Sequence, residues 1–214
     1  MLGYDLSRPP DAQDGATVAV LLHGRGSHRG DLQALRPHLP EAWTLVTPQA
    51  PHPGHPWGYG PGWAWYKYVA EDRVEEGGLT WSLEALDRFM AGLSGLVGFR
   101  PGPVVLGGFS QGGTTSLAYA FTRPGSVAAA LNFSGFLPDS PVLPADALGP
   151  DATPVFWGHG TRDPNIPHRL ADKGRDLLHR SGTPLTVGDY DIGHWIDPSE
   201  VADAVAFVEG LVGR

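Results

Sequence analysis

Residues 103–113, P-V-V-L-G-G-F-S-Q-G-G, decide how this chain folds. Val104, Val105 and Leu106 form a short apolar run suited to a strand buried on both faces. A glycine-flanked serine follows, and beyond it Leu117, Ala118 and Phe121 fall at helical spacing. Gly108-Phe109-Ser110-Gln111-Gly112 thus fits G-x-S-x-G, the elbow that holds a nucleophilic serine on a sharp strand-to-helix turn. Backbone passes close on both sides of such a serine, so its neighbours must lack side-chain bulk. The helix opening near Gln111 points free N–H groups and its positive dipole end at the serine, which favours negative charge there. In a chain with 30 glycines the five-residue pattern alone is weak. The strand before it and the helix after it set it apart from a glycine-rich connection carrying an exposed serine.

Working outward, the same alternation continues on both sides. Residues 17–22 (T-V-A-V-L-L) read as another fully buried strand. It runs into His23-Gly24-Arg25-Gly26-Ser27, a turn where backbone can approach a ligand. Residues 31–39 suit a short helix with Leu32, Leu35 and Leu39 on one face, and residues 43–47 suit a strand. Residues 48–79 are a long excursion rich in glycine, proline and aromatics. Long loops of this kind are often functional, and clustered aromatics suit an apolar substrate wall. Trp65 from this excursion, Phe109 of the elbow and Trp195 are the candidate substrate-binding side chains. Residues 80–97 show the clearest helical period, with Leu83, Leu86, Phe89, Met90, Leu93, Leu96 and Val97 inward.

After the elbow helix come strands at 127–133, 154–158 and 185–190, and helices at 166–180 and 199–212. Six strands are visible, and residues 1–15 read as an irregular or edge segment. Alternating strands and helices imply one α/β domain over residues 1–214, a mostly parallel, doubly wound sheet with helices on both faces. In such sheets reactive groups sit just past the carboxyl ends of strands, where every glycine-bearing turn named here lies.

The 214 residues suit one substantial domain. A net charge of −8 argues against nucleic acid or an anionic membrane surface as partner. With no cysteine, disulfides, thiolate metal sites and cysteine nucleophiles are excluded. The first residues lack a basic start followed by an apolar run, and no stretch reaches eighteen apolar residues; the expectation is a cytoplasmic protein without membrane insertion. Nothing in the pattern decides between a monomer and a homodimer.

A serine hydroxyl needs a base beside it, and histidine is the natural one near neutrality. A carboxylate must then fix the imidazole tautomer. On this architecture the chain order is serine, acid, histidine. His168 and His179 fall within a predicted helix, and His159 precedes the best acid. His194, in a turn after the last strand, takes the role of base. Asp163, just past the strand at 154–158 and followed by Pro164, is the preferred acid, with Asp139 the runner-up. The amides of Arg25 and Gln111 would form the oxyanion hole. His52 and His55 have no carboxylate nearby, so no metal site is expected, and the chemistry requires no cofactor.

These motifs together resemble the phospholipase/carboxylesterase family of α/β-hydrolases, which includes the acyl-protein thioesterases. The matching stretches are L-L-H-G-R-G (21–26), P-Q-A-P (48–51), G-W-A-W-Y (62–66), G-G-F-S-Q-G-G (107–113), H-G-T-R-D-P (159–164) and G-H-W (193–195). The resemblance implies an α/β-hydrolase fold without a separate cap domain, and a serine esterase with Ser110, Asp163 and His194 as its triad. Its substrate would be a small-molecule ester. Thioesterase members of the family usually carry leucine where this chain has Arg25, which points to short- or medium-chain acyl esters over long-chain ones. A thioesterase or lysophospholipase activity, or a silent binding protein on the same fold, are the alternatives.

Overall fold

The computed structural model describes residues 1–213. Its centre is a seven-stranded sheet built from β1 (Tyr4–Ser7), β2 (Val18–Leu22), β3 (Thr44–Pro48), β6 (Val104–Phe109), β7 (Ala129–Phe133), β8 (Val155–Gly160) and β9 (Leu185–Tyr190). The order across the sheet is β1-β3-β2-β6-β7-β8-β9. All neighbours are parallel except β1, which pairs antiparallel with β3. The segment expected to be irregular or an edge therefore supplies one antiparallel edge strand. A two-stranded ribbon, β4 (His52–Pro53) with β5 (Trp63–Ala64), stands apart from the sheet.

Strand residues alternate between two apolar layers, as the two-residue period of a pleated strand requires. Val18, Val20, Leu22, Leu106, Ala130 and Trp157 face a layer shared with helices α1 (Glu76–Ala91), α2 (Leu93–Val97), α3 (Gln111–Thr122) and α4 (His168–Ser181). Ala19, Leu21, Val105, Leu131 and Phe156 face the opposite layer, closed by α5 (Pro198–Val212) and a 3-10 turn at Leu32–His38. Helices cover both faces of the sheet, and α3 is buried from Gln111 through Phe121. No helix is long and apolar enough to cross a membrane among the described residues.

Three local expectations change. Pro37 sits inside the segment at Leu32–His38, where its missing N–H and its ring disfavour an α-helix, and the segment is 3-10 instead. The helix expected over 80–97 is two helices meeting at Gly92. The first of them also starts earlier: the Glu75 carboxylate caps it by accepting the Gly78 amide at 2.6 Å, which offsets the poor helix propensity of Gly77 and Gly78. The aromatic excursion accordingly ends at residue 75.

Helix α5 opens with a capping box between Asp197 and Glu200. Glu200 is fully buried, with Oε1 pressed against the backbone of Gly158 and lacking a hydrogen-bond partner among the described residues. Burial pushes its carboxyl up to about 8. The native state thus keeps a proton that the unfolded chain gives up at lower pH, so this side chain's contribution to stability declines as pH rises from the ordinary glutamate range towards 8. Glu200→Gln should therefore gain stability over the wild type as pH increases. Urea midpoints at about pH 5 and pH 8.5 test the sign, and a gap that does not widen with pH would refute it.

Candidate active site

Ser110 occupies the turn between β6 and α3 with φ 54° and ψ −115°, a conformation that costs energy for a residue with a side chain. Its neighbours make the turn possible. A Cβ on Gly108 would lie 2.6 Å from the Leu22 carbonyl oxygen, and one on Gly112 would collide with that same oxygen. The end of β2 therefore runs directly against the elbow, and the Ser110 amide is tied to the Phe133 carbonyl of β7 at 2.7 Å.

The expected serine, histidine and acid converge from the ends of β6, β8 and β9. His194 Nε2 lies 2.9 Å from Ser110 Oγ, and His194 Nδ1 lies 2.6 Å from Asp163 Oδ2. An ionised Asp163 accepts the Nδ1 proton, which leaves Nε2 to accept from the serine hydroxyl. The other oxygen, Asp163 Oδ1, accepts the amides of Asn165 and Ile166 at 2.8 and 2.9 Å. Burial works to raise this carboxyl, but the His194 hydrogen bond and the two amides outweigh it and hold it below the usual carboxylate range. The runner-up, Asp139, is exposed in the connection after β7, near Lys173.

The two amides expected to form the oxyanion hole belong to Gln111, the residue after the serine and the first of α3, and to Arg25, in the turn after β2. Among the described residues neither N–H donates to a protein acceptor. The Gln111 side chain, buried, is occupied elsewhere: it accepts the Trp65 amide and donates to the Tyr66 carbonyl, both at 2.8 Å. His23 braces the preceding turn. It accepts the Ala50 amide on Nε2 at 3.1 Å and so donates from Nδ1 to the Gly24 carbonyl at 2.7 Å. Burial draws His23 down to about 4, so it stays neutral. These bracing roles of Ala50, His23 and the Gln111 side chain escaped sequence reasoning, because the bonds join stretches far apart in the chain.

His159, set aside on chain order, lies behind the acid. It is fully buried, 3.8 Å from Asp163 Oδ2, and bonded through Nε2 to the Ile166 carbonyl. Burial lowers its pKa, which keeps it neutral. His168, expected on a helix surface, opens α4 between the carboxylates of Asp172 and Asp189; these raise its pKa despite partial burial. Among the described residues no cluster of histidine, aspartate and glutamate could hold a metal ion.

A cleft of about 500 Å³ opens over the serine, lined by Gly24, Arg25, Tyr68, Phe109, Ile166 and His194 among others. Phe109 lines this cleft, its ring 4.7 Å from that of His194 between centroids. Trp195 is 54% exposed, outside the cleft lining, with its ring folded over Gly193. Trp65 does not line the cleft. Its ring is fully buried and donates Nε1–H to the His23 carbonyl at 2.9 Å, so it is core and not substrate wall. The periodicity that marks a core aromatic is missing in so irregular a segment, and of its aromatics Tyr68 lines the cleft.

A strand-elbow-helix with a serine, histidine and aspartate in line at the carboxyl edge of a mostly parallel sheet defines the α/β-hydrolase class. The profile of the phospholipase/carboxylesterase family matches residues 9–212, and the chain belongs to that family. Among relatives, acyl-protein thioesterase 1 of Saccharomyces cerevisiae is 29% identical over 119 residues, 52% of this chain and 51% of that protein. The chain thus spans about half the length of the first such relatives in its matches. The Kluyveromyces lactis acyl-protein thioesterase 1 is 28% identical over 92% of both chains. Among solved structures, a Bacillus cereus carboxylesterase superposes with a TM-score of 0.82 at 19% identity, over 99% of this chain and 95% of that one. Zea mays acyl-protein thioesterase 2 gives 0.75 at 24% identity, over the whole of both chains.

Trp65→Phe should lower the unfolding free energy by about 1–3 kcal/mol, because the buried His23 carbonyl loses its donor. The urea midpoint checks this, and an unchanged midpoint would argue that the indole bond does nothing for the fold.

Proposed function

We propose that this protein hydrolyses carboxylic esters of short- to medium-chain acyl groups through a serine-bound acyl intermediate. The supporting observation is the unbroken line from Ser110 Oγ through His194 to Asp163, at 2.9 and 2.6 Å. Ser110 attacks the ester carbonyl carbon while His194 Nε2 takes the hydroxyl proton. The developing oxyanion is held by the Arg25 and Gln111 amides, aided by the N-terminal end of α3. Collapse of the tetrahedral species breaks the C–O bond, and the proton on Nε2 passes to the leaving alcohol. Water then gives a proton to Nε2, attacks the acyl carbon, and releases the acid while Ser110 regains its proton. Asp163 holds the ring in the required tautomer and stabilises the imidazolium formed at each step.

Polar groups around the serine, namely Arg25, Asp31 and Glu71, limit the apolar surface available to a long acyl chain. The thioesterase relatives favour a second reading, since the same steps cleave a thioester when the leaving group is a thiol. Paired oxygen esters and thioesters of equal acyl length distinguish the two.

Ser110→Ala should abolish turnover of 4-nitrophenyl butyrate and labelling by a fluorophosphonate while circular dichroism stays unchanged; retained turnover would remove the nucleophile. Asp163→Asn should lower kcat by about 10⁴, since the imidazole loses the partner that sets its tautomer. Because Asp163 stays ionised below the usual carboxylate range, kcat/KM should fall on acidification through protonation of the imidazole and not of this carboxylate. A profile flat from pH 8 to about pH 4.5 would contradict a histidine base.

A further inference from the structure

Arg25 brings to the cleft a charge that ester hydrolysis leaves unused. Its proposed part in the chemistry is a backbone N–H, which almost any residue could supply. Its side chain nevertheless lines the cleft together with Ser110 and His194. The guanidinium carbon lies 5.0 Å from the centre of the Tyr59 ring and 5.3 Å from that of Tyr68. Those rings are 6.4 Å apart and inclined at 76°, so the guanidinium occupies the angle between them. The seat is itself braced: the Tyr59 hydroxyl accepts the Tyr68 amide at 2.8 Å, and Tyr68 is stacked edge-on against the buried Tyr66. Aromatic faces attract a cation without neutralising it.

Arg25 has no ion-pair partner among the described residues, although two carboxylates share its cleft. Asp31 accepts the Ser27 hydroxyl at 2.6 Å, and Glu71 is paired with Arg169. Arg25 is also the only arginine or lysine in the cleft lining among the described residues. A chain with net charge −8 repels anions at long range, so this local cation acts on a substrate already in the cleft. A guanidinium with its plane supported by rings keeps in-plane N–H donors that match the two oxygens of a carboxylate. Since the same residue offers its amide to the scissile oxygen, the guanidinium is one side-chain length from the reacting carbon.

From this geometry we infer that Arg25 is a specificity-determining residue, and that the preferred substrate is an ester carrying a free carboxylate a few bonds from the scissile carbonyl, as in the half-ester of a dicarboxylic acid. The inference rests on the hydrolase reading above and names its substrate class. Hydrolysis of such a half-ester consumes one water and yields the dicarboxylate and the alcohol, by the steps already given.

The test compares mono-4-nitrophenyl adipate with 4-nitrophenyl hexanoate, each corrected with Ser110→Ala as background. For the wild type the ratio of kcat/KM, half-ester over neutral ester, should exceed that of Arg25→Leu by about tenfold or more, mainly through KM, the scale expected when a charge-assisted hydrogen bond is lost. Arg25→Lys should recover part of the ratio, because a point charge replaces the fork. Tyr59→Leu, which removes one wall of the seat, should lower the ratio as well and serves if Arg25→Leu fails to fold. Raising ionic strength should shrink the wild-type ratio. Adipate should also protect the wild type from fluorophosphonate labelling better than hexanoate. Equal ratios in wild type, Arg25→Leu and Tyr59→Leu would overturn the inference while leaving the hydrolase reading intact. Failure of the wild type to cleave either ester would instead remove the hydrolase reading.

Discussion

The contact between the Leu22 carbonyl and the two glycines that flank Ser110 by two residues governs the rest of this molecule. β2 can end against the elbow only because positions 108 and 112 carry no Cβ. That approach lets Ser110 hold its strained backbone, since neighbouring strands fix the chain on both sides of it. It also carries the His23 carbonyl, at the start of the turn after β2, alongside Gly112 in the first turn of α3. One steric condition therefore brings together a hydroxyl, a helix start and the turn that follows β2. The remainder of the sheet supplies distance: β8 and β9, two and three strands away from β6, carry the loops that return an aspartate and a histidine to the same rim.

Buried ionisable groups around this rim divide according to the donors they find. Asp163 has three donors for its two oxygens and is held below the usual carboxylate range. Glu200, on the far layer with a single long bond to the Asp197 amide, is held neutral by burial. His23 and His159 each give one proton to a backbone carbonyl and are kept neutral by the same desolvation. Among the described residues charge is thus favoured at Asp163, the buried carboxylate bonded to an imidazole, and suppressed at Glu200, which only packs.

Much of this was legible in the chain. Strands β2, β7 and β8 fall within two residues of their apolar runs and β6 begins where its run begins, because strands buried on both faces admit little else. Ser110, Asp163 and His194 could be singled out from chain order and from turns at strand ends. What escaped were interactions that have no local pattern. Trp65 in a glycine-rich excursion looks like a wall residue, and only its bond to the distant His23 carbonyl reveals it as core. The start of α1 was hidden because Glu75 compensates for two glycines of low helix propensity. The 3-10 turn at Leu32–His38 has the apolar spacing of an α-helix but a proline in its interior.

The outer strands of the sheet bear on how this protein behaves when crowded. β1 is four residues long, and β9 is the last strand on the other side. Both rims offer unsatisfied backbone groups that could template a foreign strand and seed polymers. On β9 the hazard is blunted by Asp189, whose carboxylate is already gripped by Arg175 and His168 at 2.7 and 2.9 Å. A strand docking there would have to settle beside a charged network anchored to α4, and so this sheet tends to stop growing where its own chain ends it.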